Sequence, residues 1–259
     1  MPAWLQETPG LTAALIVLGL CLGSFLNVVI HRLPRGLSLR RPRSFCPQCR
    51  TPLAWWDNLP LLSYAILRGR CRRCRARIPL RYPLVELSGA ACLLLGSAVS
   101  AAPSAAAVRC AFLLALVVVF FVDLDHRIIP DGITLPGIVL GLAVSPLIDT
   151  SRQDAVIGVL VGMGGLLLVA AVYRAVRGIE GMGGGDFKLA GLLGAFLGWQ
   201  GVLLSLLFGS LLGALFGMGV LLSRRGTMRT ALPFGSFLAP AAAAVVLYGR
   251  DIWNWYLNL

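Results

Sequence analysis

The chain has 259 residues, 58% of them hydrophobic and only 13% charged, where a soluble domain carries about 25% charged residues. That balance, with a mean hydropathy of +0.82, excludes a soluble globular domain and predicts an all-α polytopic membrane protein. The net charge is +12, and 13 of the 23 Lys and Arg lie between Arg32 and Arg81.

The first apolar run, Leu11 to Ile30, is long enough to span a bilayer. The preceding MPAWLQETPG lacks the basic n-region of a cleavable signal, so no such signal is expected. Within GSFLNVVIHRLP, Asn27 is a polar residue in an apolar run. It reads either as an interhelical hydrogen bond or as a ligand contact near the cytoplasmic face. Arg32 to Tyr82 is too polar to span and carries CPQC, WWDNLPLLSY, CRRC and RIPLRYP. Trp55, Trp56, Leu59, Leu61 and Leu62 are its candidates for a small core or for docking on the membrane interface. So short a segment is a thin basis for a core, which makes a metal staple physically reasonable.

A second helix is expected over Pro83 to Ala102, with Glu86 one turn in, and a third over Ala106 to Val122. FVDLDHRIIPDGITLP then packs Asp123, Asp125, His126, Arg127 and Asp131 between two apolar runs, with Pro130 and Gly132 expected to break any continuous helix. Helices four and five are expected at Ile133 to Ile148 and Ala155 to Tyr173, followed by a glycine-rich loop from Arg174 to Gly185. A short sixth helix runs from Asp186 to Leu197, Gly198 to Gln200 turn, and a seventh covers Val202 to Leu222. After basic Arg224, Arg225 and Arg229, an eighth spans Leu232 to Leu247. The tail, with Trp253, Trp255 and Tyr256, suits an interfacial aromatic belt. The expected division is a first membrane helix (1–31), a cytoplasmic insertion (32–82) and a membrane core (83–259).

Placing the insertion inside and alternating through eight spans leaves 20 Lys and Arg inside and 3 outside. Both termini then lie outside, and the 123–131 and 181–188 stretches share the cytoplasmic face. The basic insertion also suits anionic lipid heads. Nucleic acid is the competing reading of so many arginines, but no nucleic-acid motif accompanies them and no such partner is expected.

Seven cysteines form two classes. Cys21, Cys92 and Cys110 sit in apolar segments and read as small core residues. Cys46, Cys49, Cys71 and Cys74 form two CxxC pairs in a cytosolic, reducing setting, which favours metal over disulfides. Four thiolates suit tetrahedral structural zinc, with neighbouring arginines lowering their pKa values. The alternatives are four free thiols or a redox pair. A closed four-thiolate site leaves no open position for catalysis.

The stretch GMGGGDFKL, from Gly181 to Leu189, sets one acid, Asp186, behind four glycines at the mouth of an apolar run. A charge there costs about 3 kcal/mol or more, so an intramembrane acid is a candidate functional group by default. Two neighbouring carboxyls share a proton, and such a pair hydrolyses peptides by general acid–base chemistry without metal or covalent intermediate. Asp123, Asp125 and Asp131 are the available partners. Asp123 lies deepest, directly after LLALVVVFFV, and is favoured for its low-water setting. The structural alternative is that each acid caps a helix end, Asp186 at an N-terminus.

GMGGGDFKL fits the GxGD motif of polytopic aspartyl proteases. With FVDLDHRIIPDGITLP, GSFLNVVIHRLP and the two CxxC pairs in this order, the chain resembles the bacterial type IV prepilin peptidases over about Gly23 to Pro233. ALPFGSFLAP looks like the family's final motif. The resemblance implies a multi-pass enzyme of the bacterial inner membrane with two activities. One cleaves the leaders of prepilins or type II secretion pseudopilins after a glycine, on the cytoplasmic side. The other methylates the new N-terminal amine with S-adenosylmethionine as methyl donor. It maps the catalytic acids onto Asp123 and Asp186, and it ties the four-cysteine insertion to the methyltransferase. Gly183, Gly185, Lys188 and Glu180 are then the expected substrate contacts, the glycines leaving room for an extended peptide. No glycine-rich strand–turn–helix is visible, so a Rossmann-type methyltransferase is not expected. Asn27, Arg81 and Glu86 are the methyl-transfer candidates. No sequence feature sets an oligomeric state.

Two readings of other classes compete. A transporter would show an internal repeat of broken helices, and no convincing repeat is present. A zinc-stapled assembly protein without catalysis is the other, and leader cleavage in detergent separates it from an enzyme.

Overall fold

A computed structural model describes residues 2–6, 9–178, 182–223 and 233–258. The described residues are helical apart from loops and two isolated bridges, Phe45 with Pro52 and Arg70 with Arg77. The long helices are α1 (Pro9–Arg32), α2 (Arg81–Ala98), α3 (Pro103–His126), α4 (Asp131–Val144), α5 (Arg152–Arg177), α6 (Gly184–Leu222) and α7 (Phe234–Leu257). The chain divides into two compact units, Met1–Val118 and Val119–Leu259, with α3 contributing to both.

In the first unit, α1 packs along α2 through small residues. A Cβ on Gly19 would stand 2.5 Å from Ala90 Cα, and one on Gly23 2.6 Å from Glu86 Cα. This Gly-x3-Gly spacing lets the two backbones touch, as in membrane helix pairs. It also sets Glu86 against the α1 face that carries Ser24 and Asn27. Of the two readings of the insertion's apolar residues, a small core or docking on the membrane interface, the structure does not give the core. Trp55, Trp56, Leu59 and Leu62 are exposed, and its buried apolar residues are Cys46 and Cys71. The metal-ligand cluster therefore takes the place that an apolar core would occupy.

In the second unit, α6 packs against α4, α5 and α7. At the α5 contact a Cβ on Gly158 or Gly194 would overlap the facing backbone, so both positions must stay bare. Among the described residues, five helices are long and apolar enough to cross a membrane: Gly10–Arg35, Pro103–His126, Asp131–Ile148, Arg152–Arg177 and Gly184–Leu222. The expected count was eight, and the difference has particular causes. Helices six and seven run together as α6, whose 39 residues are interrupted only at Gly198 (φ 71°, ψ −179°). That left-handed φ is open to glycine and bends the helix. The part before the bend is too short to cross alone. Helix two begins with polar residues from the insertion, and α7 carries Arg250 and Asp251 in its second half. The aromatic tail is likewise helical to Leu257 rather than a loose end, with Trp199 and Trp253 stacked edge to face at 5.4 Å. Of the two expected breakers, Pro130 lies in the break, which spans Arg127–Pro130, and Gly132 lies inside α4.

Candidate active site

Asp123 lies in the last turn of α3 and is 4% exposed. Its main-chain carbonyl accepts from Arg127 N–H at 2.8 Å, and Arg127 takes a left-handed φ of 54° that turns the chain out of the helix. The side chain meets the first turn of α7. Asp123 Oδ2 accepts from Ser236 N–H at 2.7 Å and from Ser236 Oγ–H at 3.1 Å. The first-turn N–H groups of a helix have no partner inside it, so a buried carboxylate from α3 caps α7 from outside. Asp186 sits in the first turn of α6, close enough to Asp123 for their charges to interact. The structure thus brings together two acids that are 63 positions apart in the sequence. The other candidate partners lie apart from this pocket in character. Asp125 and Asp131 are both exposed.

Ile129 is the spacer of the site. A Cβ on Gly185 would stand 2.9 Å from Ile129 Cβ, and one on Gly235 3.0 Å from Ile129 Cδ1 and 3.1 Å from Asp123 Oδ2. One isoleucine from the α3–α4 turn therefore fills the space that side chains on the α6 and α7 termini would need. The room beside Gly185 belongs to Ile129 rather than to an incoming peptide. Gly183 is different: among the described residues its Cβ direction meets Asp186 Oδ2, at 3.5 Å. Lys188 Nζ donates to both carboxylate oxygens of Asp131 at 2.8 Å, tying the start of α6 to the start of α4. Glu180 lies outside the described residues. Ile129, Gly235 and Ser236 were missed as site residues in the sequence. The available signal was a Gly-Ser pair opening an apolar helix in ALPFGSFLAP.

In the insertion, the four Sγ atoms of Cys46, Cys49, Cys71 and Cys74 lie within 4.8 Å of one another, with Cys46 and Cys74 3.8 Å apart. Zinc–sulfur bonds of about 2.3 Å place tetrahedral sulfurs about 3.8 Å apart, so the donor set fits structural zinc. Two matching turns build it. Cys46 N–H donates to Thr51 O and Arg50 N–H to Cys46 O, while Cys71 N–H donates to Ala76 O and Arg75 N–H to Cys71 O. Arg50 and Arg75 hold left-handed φ values of 54° and 59°, directly after the second cysteine of each pair. The Thr51 hydroxyl and N–H beside Cys49 hold its thiol down at about 6. Backbone N–H groups of Cys74 and Arg73 lower that of Cys71. Both therefore favour the thiolate that a divalent metal needs.

A cavity of about 660 Å³ opens in the first unit between the insertion, α1 and α2, a size typical of small-molecule sites. Asn27 and Glu86 line it, with Phe45, Tyr64 and Tyr82, whereas Arg81 is absent from its walls. Asn27 Nδ2 donates to Tyr82 O at 3.2 Å. Glu86, 9% exposed, accepts from Leu61 N–H at 2.9 Å. Leu61 has φ 57°, a strained value for a leucine, and the buried carboxylate anchors it. The Glu86 carboxylate is thus held by a backbone N–H of the insertion.

Residues 17–99 match the bacterial peptidase A24 N-terminal domain, and residues 110–218 match the type IV leader peptidase family. A protein of Pseudomonas putida called prepilin leader peptidase/N-methyltransferase is 44% identical, over 94% of this chain and 92% of its own. One of Aeromonas hydrophila with the same description is 41% identical over 96% and 95%. One of Pseudomonas aeruginosa, again so described, is 39% identical over 94% and 92%. No solved structure shows a significant match. The two matched regions hold the four-cysteine cluster and both acids, and the relatives are matched almost end to end; the chain belongs to the type IV leader peptidase family.

Proposed function

We propose that this protein is a membrane aspartic endopeptidase that removes the leaders of prepilins or pseudopilins and then methylates the exposed N-terminal amine. The observation that carries the reading is the meeting of buried Asp123 with Asp186 in a chain of this family. In the peptidase step one carboxyl of the pair is ionised and the other protonated. The ionised one takes a proton from water as the water oxygen attacks the scissile carbonyl. The protonated one donates a hydrogen bond to the carbonyl oxygen. The leaving amine then takes the proton as the C–N bond breaks. Gly183, where a Cβ would stand 3.5 Å from Asp186 Oδ2, offers the substrate backbone a close approach beside that acid. Lys188 acts through Asp131 by fixing the start of α6.

Methylation belongs to the first unit, with the 32–82 insertion as its cytoplasmic part. S-adenosylmethionine supplies the methyl group. The cavity beside Glu86 and Asn27 has the volume and mixed polar and aromatic lining for it. Glu86 accepts the proton that the substrate amine gives up before attack, and Asn27 holds Tyr82 and the mouth of α2 in place. Arg81 acts at the α2 entrance rather than on the cavity wall. Zinc held by Cys46, Cys49, Cys71 and Cys74 fixes the insertion and takes no chemical step. The basic insertion faces the cytoplasm and anionic lipid heads of the inner membrane. The test is direct: purified protein in detergent receives a prepilin, and its mass is followed. Leader loss is expected first, and a methyl gain only after S-adenosylmethionine is added. An unchanged prepilin mass would overturn the peptidase reading.

A further inference from the structure

We infer that Ser236 is a positioning residue that holds Asp123 in register through either of its protonation states. The inference rests on the aspartic-dyad reading above. Ser236 is 3% exposed, and its Oγ stands 3.1 Å from both Asp123 Oδ2 and the carbonyl oxygen of Phe120. A hydroxyl has one proton and can also accept. Two acceptors therefore compete for one donor, and the protonation of Asp123 decides between them.

When Asp123 is ionised, the hydroxyl proton points at Oδ2, beside the Ser236 N–H that already donates there at 2.7 Å. When Oδ2 carries a proton, that proton is given to Ser236 Oγ, and the hydroxyl proton turns to Phe120 O. No heavy atom has to move. Both arrangements satisfy every buried polar atom, which matters because an unmade hydrogen bond in this pocket is costly. Two donors from one residue also fix the position of the Asp123 carboxyl. A carboxyl that gains and loses a proton in each turnover thus works in a preorganised setting. The backbone N–H belongs to any residue at 236, so the rotating hydroxyl is what serine adds.

Cleavage kinetics of the full chain in detergent test this. Ser236→Ala is expected to lower kcat about 10- to 100-fold, the range for losing a hydrogen bond to a charged group, with KM within about threefold of wild type. Ser236→Thr, which keeps the hydroxyl, is expected to cleave within about threefold of wild type. Ser236→Cys, with a thiol of similar size and weak donor strength, is expected to be slow like alanine. It carries the comparison with threonine if the alanine variant does not fold. A wild-type kcat in Ser236→Ala or Ser236→Cys, or threonine as slow as alanine, overturns the role of the hydroxyl. Asp123→Asn is run alongside. If it still cleaves, the dyad itself fails and the role of Ser236 goes with it. If it is inactive while Ser236→Ala is normal, only the Ser236 inference is lost.

Discussion

Gly235 faces Asp123 so closely that a Cβ at 235 would stand 3.1 Å from the carboxylate oxygen Oδ2. The same Cβ would press on Ile129 at 3.0 Å. Asp123 has no freedom to retreat, because Ser236 pins that oxygen twice. Gly235→Ala should therefore displace the acid by a few tenths of an ångström while the helices stay packed. Overpacking of this size costs about 1–3 kcal/mol. Cleavage is expected to fall by about tenfold or more, with the variant still folded by gel filtration and thermal unfolding. Gly219→Ala is the control, since nothing lies within 4 Å of its Cβ position. Normal cleavage in Gly235→Ala would mean that Asp123 is not held as tightly as these contacts imply.

Substitution of Glu86 is expected to separate the two proposed activities. Glu86→Gln keeps an oxygen for Leu61 N–H, so the clamp on the insertion survives. It removes the proton acceptor from the cavity. Methylation of an already cleaved pilin is expected to drop about 100-fold or more, the usual scale of general-base loss. Leader cleavage by the same sample should be unchanged. Methylation at the wild-type rate would reduce Glu86 to an anchor for Leu61.

Metal removal has a readable chemical trace. One zinc per chain is expected by native mass measurement, and a chelator should remove it together with methylation but leave cleavage. In the stripped protein Cys49 is expected to react with iodoacetamide ahead of Cys74, because the Cys49 thiol titrates at about 6. Its labelling should rise as pH passes upward through about 6, where the reactive thiolate forms. Zinc should suppress labelling at all four positions. Equal labelling of the four, with and without zinc, would contradict the cluster.

Much of this was legible in the sequence because the informative residues are incompatible with their surroundings. An aspartate after LLALVVVFFV and another behind four glycines stand out in an apolar chain, and two CxxC pairs announce their chemistry by spacing. Gly198 marked the break in α6 for the same local reason, its positive φ. The supporting residues were silent because their roles are tertiary. Ile129 looks like any apolar residue before a proline, and its function is to fill space left by Gly185 and Gly235. Ser236 resembles an ordinary helix-start serine, and Asp123 reaches it from 113 positions away. Glu86 was visible as a charge, but its partner is a backbone N–H, which no side-chain pattern encodes.

The pairing of Asp123 with Asp186 is tested most directly by cleavage of a prepilin with Asp123→Asn and Asp186→Asn, side by side. Each change keeps the shape of the side chain and removes one member of the proton-sharing pair. Both variants are expected to remain folded, to retain methylation of a pre-cleaved pilin, and to leave the leader uncut over many wild-type turnovers. Leader loss at the wild-type rate in either variant would contradict the two-acid mechanism.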